Sequence, residues 1–65
     1  MQDWVYNLIK KFWRGNFKEF ENLVDSCEIY NMGFIEDAFH ITFSDDSSNK
    51  YVELYLHDFT FIQKD

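Results

Sequence analysis

The sequence predicts an α+β domain in which two N-terminal helices pack on one face of a small antiparallel sheet of three or four strands. Apolar residues recur at helical spacing through about residue 27, and from residue 39 onward they alternate with a period of two. Each pattern supplies a single apolar face, so the helices and the sheet are expected to bury these faces against each other in two layers. With 65 residues, the chain is predicted to be one domain, residues 1–65.

The first helix is predicted over about residues 3–14. The apolar positions with the i, i+4 spacing of one helix face are Trp4, Val5, Leu8, Ile9, Phe12 and Trp13. Asp3 is expected to cap the start of this helix. Gly15 suits the left-handed position just past its end.

The second helix is predicted over about residues 17–27, with an apolar stripe of Phe17, Phe20, Leu23, Val24 and Cys27. Asn16 followed by Glu19 resembles a capping box, which would start a new helix there. The alternative is one helix broken at Gly15. Cys27 is expected to be a small buried residue on the helical stripe.

The strands follow. A first strand is predicted at about residues 29–34, although Asn31 and Gly33 weaken it. Two clean alternations then predict a hairpin with one inward face. The first strand contributes Phe39, Ile41 and Phe43 to this face, and the second contributes Val52, Leu54 and Leu56. The register is expected to set Phe43 opposite Val52 and Ile41 opposite Leu54. Residues 59–62 form either a last strand after a turn at His57–Asp58 or the same strand continued past a bulge.

The same register predicts what occupies the uncovered side of the sheet. It sets His40 opposite Tyr55 and Thr42 opposite Glu53. The residues expected to face outward there are Ala38, His40, Thr42, Tyr51, Glu53, Tyr55 and His57. Strand propensity alone could also explain the tyrosines.

Charge is distributed unevenly along the chain, whose net charge is −6. Residues 1–18 carry four cations against one carboxylate, a net charge of +3, whereas residues 19–63 carry ten carboxylates against Lys50, a net charge of −9. Such a field repels nucleic-acid backbones and attracts basic surfaces. The alternative is that the carboxylates only keep an aromatic-rich chain in solution.

Few residues suggest chemistry, and we expect neither an enzyme, nor a cofactor, nor a metal site. Cys27 is expected on the opposite side of the sheet from His40 and His57, which separates thiol from imidazole. The two histidines and Glu53 could in principle bind a transition metal, but they match no metal-binding sequence motif, so the signal is weak. Asp45–Asp46 lies in an oxygen-rich turn, but the glycine and distal glutamate of an EF-hand are missing.

Location is predicted from two further observations. The sequence contains no run of about 20 apolar residues and no basic-then-apolar leader, so we expect a soluble chain without membrane contact. A single cysteine fits a reducing compartment, which predicts the cytoplasm.

The function predicted from these features is that of a non-enzymatic, acidic protein-binding module. Small, acidic, aromatic-rich, cysteine-poor chains of this type resemble phage-encoded inhibitors of host enzymes and bacterial immunity proteins, an analogy that no motif carries. The partner would present a basic groove, one that could normally hold nucleic acid, so the chain would act as a nucleic-acid mimic. The expected contact residues are Glu36, Asp37, Asp45, Asp46, Tyr51, Glu53, Tyr55, His57 and Asp58.

Two other functions remain open. The bare sheet face or an edge strand could pair with a second copy, giving an obligate homodimer with a structural role. Tyrosines on an exposed sheet could also stack on single-stranded nucleic acid, but the negative charge of the strand segment argues against direct binding.

Overall fold

Two short helices precede a four-stranded meander in the computed structural model, which describes residues 2–64. The elements are α1 Asp3–Phe12, α2 Phe17–Leu23, β1 Glu28–Ile35, β2 Ala38–Asp45, β3 Lys50–His57 and β4 Thr60–Lys64. The strands form one open antiparallel sheet in chain order. The predicted α+β fold is confirmed, and its sheet has four strands.

Helix α1 is shorter than its apolar pattern. It starts after Gln2, so the prediction that Asp3 caps it is wrong. Asp3 instead occupies the first turn, where a carboxylate is favoured by the positive end of the helix dipole. The helix ends at Phe12, because Trp13 is already extended. Gly15 does adopt a left-handed φ of 93°, but within the link between the helices and not directly past the end of α1.

Helix α2 is capped by Asn16, whose side-chain oxygen accepts a hydrogen bond from the backbone N–H of Lys18 at 2.9 Å. It ends at Leu23, four residues before the predicted end. Ser26 has a left-handed φ of 66°, which no helix can continue through. Cys27 therefore lies in the link to β1, half-buried against the core, and its predicted place on a helical stripe is wrong.

The core lies between the helices and the inner face of the sheet. Its buried members are Val5, Ile9, Phe20 and Val24 from the helical segment and Ile41, Phe43, Val52, Leu54 and Phe61 from the strands. Phe20 lies at the centre, with ring centroids 5.4 Å from Trp13, 5.2 Å from Phe17 and 5.7 Å from Phe43. Aromatic packing thus joins the two layers in a chain whose one cysteine is free.

The register of the β2–β3 hairpin is the predicted one. Phe43 pairs with Val52 and Ile41 with Leu54 on the inner face, and His40 pairs with Tyr55 and Thr42 with Glu53 on the other. A four-residue loop, 46–49, joins the two strands.

Two-residue turns close the other hairpins. Glu36 and Asp37 have φ values of 50° and 68°, and Asp58 and Phe59 have φ values of 52° and 59°. Positive φ at both central residues is the signature of type I′ turns, whose twist matches that of the strands. A separate strand therefore follows, as the first alternative predicted, but it starts at Thr60 and not at residue 59, because the turn lies one residue later than the predicted His57–Asp58.

Strand β1 contains a bulge. Ile29 pairs with Phe43 on β2, yet Asn31 pairs with the next residue, Thr42, so Tyr30 is an extra residue. The strand is also longer than predicted, running from Glu28 to Ile35.

Among residues 2–64, neither helix has the length and apolar character that a membrane crossing requires.

Candidate functional site

The face of the sheet opposite the helices, here called the outer face, is the candidate site. Strand register assigns to it Glu28, Asn31, Gly33, Ile35, Ala38, His40, Thr42, Ser44, Tyr51, Glu53, Tyr55, His57, Thr60, Ile62 and Lys64. Both helices pack on the inner face, so these side chains meet solvent or a partner. The four predicted site residues of β3 therefore lie together on one surface.

Two tyrosines form an aromatic pair at one end of the outer face. The bulge turns Tyr30 to this side, where its ring meets that of Tyr51 edge to face, with centroids 5.7 Å apart. They are 65% and 63% exposed, respectively. Tyrosine rings held in this way offer large contact area with little conformational freedom to lose on binding.

A second ring cluster occupies the middle and the opposite end. The His40 imidazole stacks on its cross-strand neighbour Tyr55, with centroids 5.6 Å apart and planes 22° apart. The ring of His57 meets Tyr55 edge to face at 6.4 Å. The outer face thus carries five rings in two clusters.

Glu53 lies beside this stack. Its Oε1 is 3.9 Å from Nδ1 of His40, too far for a hydrogen bond but close enough for an ion pair when the imidazole is protonated. Nδ1 is buried and lacks a hydrogen-bond partner among residues 2–64. A buried polar atom without a partner is unfavourable.

Two shallow depressions flank the His40 side chain. The larger, of 420 Å³, is lined by Ile35, Glu36, Ala38, His40, Tyr55 and Lys64. The smaller, of 210 Å³, is lined by Asn31, Met32, Gly33, Phe34, Ile35, His40, Thr42 and Glu53. Gly33 has no side chain and Ala38 has only a methyl group, so neither fills the depression that it lines. The linings also include the carboxylates Glu36 and Glu53 and the cation Lys64.

The remaining predicted site residues lie at the two ends of the sheet. In a meander, the first and third turns share one end, which places Glu36 and Asp37 near Asp58. Asp45 and Asp46 belong to the opposite end. Strands of eight residues separate the two groups by about 25 Å. The carboxylates therefore border the outer face at both ends, with Glu53 between them.

Asp45 has a structural task as well. Its Oδ1 accepts hydrogen bonds from the backbone N–H of Ser47 at 3.1 Å and from the Ser47 hydroxyl at 2.8 Å. Its Oδ2 accepts one from the Ser48 hydroxyl at 3.0 Å. The hydrogen bonds from Ser47 and then Ser48 lower the pKa of Asp45 below its usual range, so the carboxylate that orders this loop stays charged.

The sequence prediction did not include several members of this surface, among them Tyr30, Ile35, Ile62 and Lys64. A signal for the first did exist, since inward Ile29 and Met32 are three residues apart and an alternating strand needs an extra residue between them. Ile62 and Lys64 could be placed only once the turn before β4 was fixed. Lys64 stands directly opposite Glu53 across the strands, which lowers the local negative charge.

Other chemistry is not assembled here. Cys27 packs against the core on the helical side, whereas His40 and His57 lie on the outer face, so the sheet separates thiol from imidazole. Within residues 2–64, no three His, Cys, Asp or Glu side chains are grouped as metal ligands would be.

Comparisons with models of protein families, with curated proteins and with solved structures find no match to this chain.

Proposed function

We propose that the chain is a non-enzymatic, acidic protein-binding module whose outer face docks on a basic surface of a partner protein. Binding over a groove that serves nucleic acid would make it an inhibitor of the phage anti-host or immunity type, acting by occlusion in the cytoplasm. The observation that carries the proposal is the uncovered outer face with its two ring clusters.

The rings support this proposal by their exposure and their mutual packing. Tyr30 and Tyr51 are exposed and pack against each other, and the half-buried His40 and Tyr55 stack on each other. Interface energy concentrates in rigid aromatic anchors of this kind. A surface that served only solubility would have no need of them.

Charge supports the choice of a basic partner. Carboxylates border the outer face at both ends, and Glu53 lies near its middle. The four cations of residues 10–18 are exposed on the helical segment, on the other side of the molecule. A partner with Lys or Arg at both ends of an apolar patch would match this pattern, and the field would raise its association rate.

The test is affinity capture from the native host with three forms of the chain. The wild type and Asn22→Ala, an exposed change on α2, should retain the same basic protein. The double variant Tyr51→Ala/Tyr55→Ala should lose it, and raising salt from about 0.05 to 0.5 M should weaken the wild-type complex. Equal recovery by all three forms would refute a role for the outer face.

Self-association is the second candidate, and the edge strand β1 favours it. This strand of eight residues has one free edge, and it exposes Tyr30, Phe34 and Ile35. An exposed edge offers unpaired backbone groups to a second copy, although the bulge at Tyr30 opposes such pairing over part of this strand. Light scattering after size exclusion separates the candidates: a dimer at micromolar concentration that Tyr30→Lys converts to monomer would favour this one.

A further inference from the structure

An apolar cleft opens on the other side of the sheet, between α1 and the end that carries the two type I′ turns. It measures 370 Å³ and is lined only by apolar side chains: Trp4, Leu8, Phe34, Phe39 and Leu56. The outer face lies across the sheet from it. The cleft is therefore a separate feature from the site described above.

The cleft exists because the helices cover the inner face incompletely. Phe34, Phe39, Leu56 and Phe61 form one inward row across the four strands. α1 packs against β4, and Phe61 is only 4% exposed, whereas Phe34 at the β1 end of the row is 76% exposed. The Phe34 ring rests on Phe39 with centroids 5.3 Å apart. One corner of the inner face is left without its covering layer.

Phe59 extends this apolar surface toward β4. Trp4, Leu8 and Phe12 recur every four residues, so they follow one side of α1. The Phe12 ring lies 6.1 Å from that of Phe59, which is 79% exposed. Phe59 also has a left-handed φ of 59°, where Asn or Gly would be favoured. An exposed aromatic side chain in an unfavourable backbone conformation is typical of a binding surface.

The charges around the cleft indicate its occupant. Asp37 follows Phe34 by three residues, Asp58 precedes Phe59, and Asp3 precedes Trp4, whereas Glu36 lines the larger depression of the outer face. Against these three carboxylates stands Lys11, whose Nζ lies 5.4 Å from the centroid of the Phe12 ring. A matching ligand has large apolar side chains with cations on either side. A second copy matches less well, because two acidic rims would face each other.

We propose that this cleft is a docking site for a protein segment that presents one or two large apolar side chains flanked by Lys or Arg. The site is independent of the outer face, and its test needs no knowledge of the partner proposed above.

The experiment uses the purified full chain and two synthetic peptides. One peptide has Leu and Trp four residues apart between pairs of lysines, and its twin has glutamates in place of the lysines. Chemical-shift mapping of the isotope-labelled chain should show saturable changes around the cleft with the lysine peptide only. Phe34→Ala and Trp4→Ala should each weaken this binding by about 10-fold. Tyr30→Ala, an equally exposed aromatic on the same strand but on the outer face, should change it by less than about 2-fold.

The proposal would be overturned by the absence of saturable binding, by equal binding of the glutamate twin, by equal weakening in Tyr30→Ala, or by shifts confined to the outer face. Concentration-dependent shifts of the cleft residues without peptide would also overturn it, since a second copy would then be the occupant. The spectra report whether each variant is folded. If either Phe34→Ala or Trp4→Ala fails to fold, the other still tests the proposal.

Discussion

At the scale of single residues, Phe59 adopts the least favourable backbone conformation for its type. A left-handed φ costs a residue with a Cβ about 1 kcal/mol or more, whereas glycine adopts it freely. Phe59→Gly should therefore raise the free energy of unfolding by about 1 kcal/mol, measured by urea denaturation. Phe59→Ala keeps the conformation and removes the ring, so it should not stabilise. A loss from both variants would show that the contact with Phe12 outweighs the strain.

Asp45 gives a pH-dependent prediction at the same scale. Its pKa in the folded chain is lowered by hydrogen bonds from Ser47 and Ser48, so the charged carboxylate stabilises the fold above the usual value of 3.8. This contribution is lost as the pH falls through the lowered pKa. Urea unfolding should show Asp45→Asn to be less stable than wild type at pH 7, and this deficit should shrink as the pH falls below 3.8. The neighbouring change Asp46→Asn serves as the control, and a pH-independent deficit in Asp45→Asn would contradict the account.

At the scale of elements, the bulge in β1 sets which side chains face inward. Deleting Asn31 should restore simple alternation, with Ile29 and Met32 still inward, at a loss of about 1 kcal/mol. Deleting Gly33 instead should turn both of them outward relative to Phe34, at a loss of about 2 kcal/mol or more. Thermal unfolding followed by circular dichroism ranks the two. Equal loss would mean that the bulge is not what fixes the register.

The hairpin β2–β3 could be predicted to the residue, whereas the helix ends could not. A strand with one buried face allows only registers that keep Ile41, Phe43 and their partners inward, so alternation alone fixed the pairing. Helix ends depend on weaker terms. Trp13 and Cys27 continue an apolar pattern, yet each packs against the core from the link that follows its helix and not from the helix itself.

The site was predictable in its centre and not at its borders. Tyr51, Glu53 and Tyr55 follow directly from alternation on β3. Placing Tyr30 on this face required knowledge of the bulge, and placing Lys64 required the position of the last turn. That turn is hard to predict because Phe59 adopts a left-handed φ in it, which Phe rarely does. The apolar cleft could not be predicted, because it depends on how far α1 reaches across the sheet.

At the scale of the whole molecule, stability depends on one aromatic cluster. A domain of this size is stable by about 3–10 kcal/mol, and truncating a buried Phe removes about 3–5 kcal/mol. Phe20→Ala should therefore be largely unfolded at 37 °C, as judged by near-ultraviolet circular dichroism. Phe20→Leu, which keeps most of the volume, should remain folded with a loss of about 1–2 kcal/mol. A folded Phe20→Ala would place the centre of the core elsewhere.

Site-specific photo-crosslinking in host lysate can show whether the proposed docking of a protein partner takes place on the outer face. A benzophenone amino acid is placed in turn at Tyr51, at Tyr55 and at Asn22 on the helical side. The expected result is that one basic protein is crosslinked from both tyrosine positions and is absent from the third. Crosslinking of that protein from position 22 alone, or of no protein from positions 51 and 55, would contradict it.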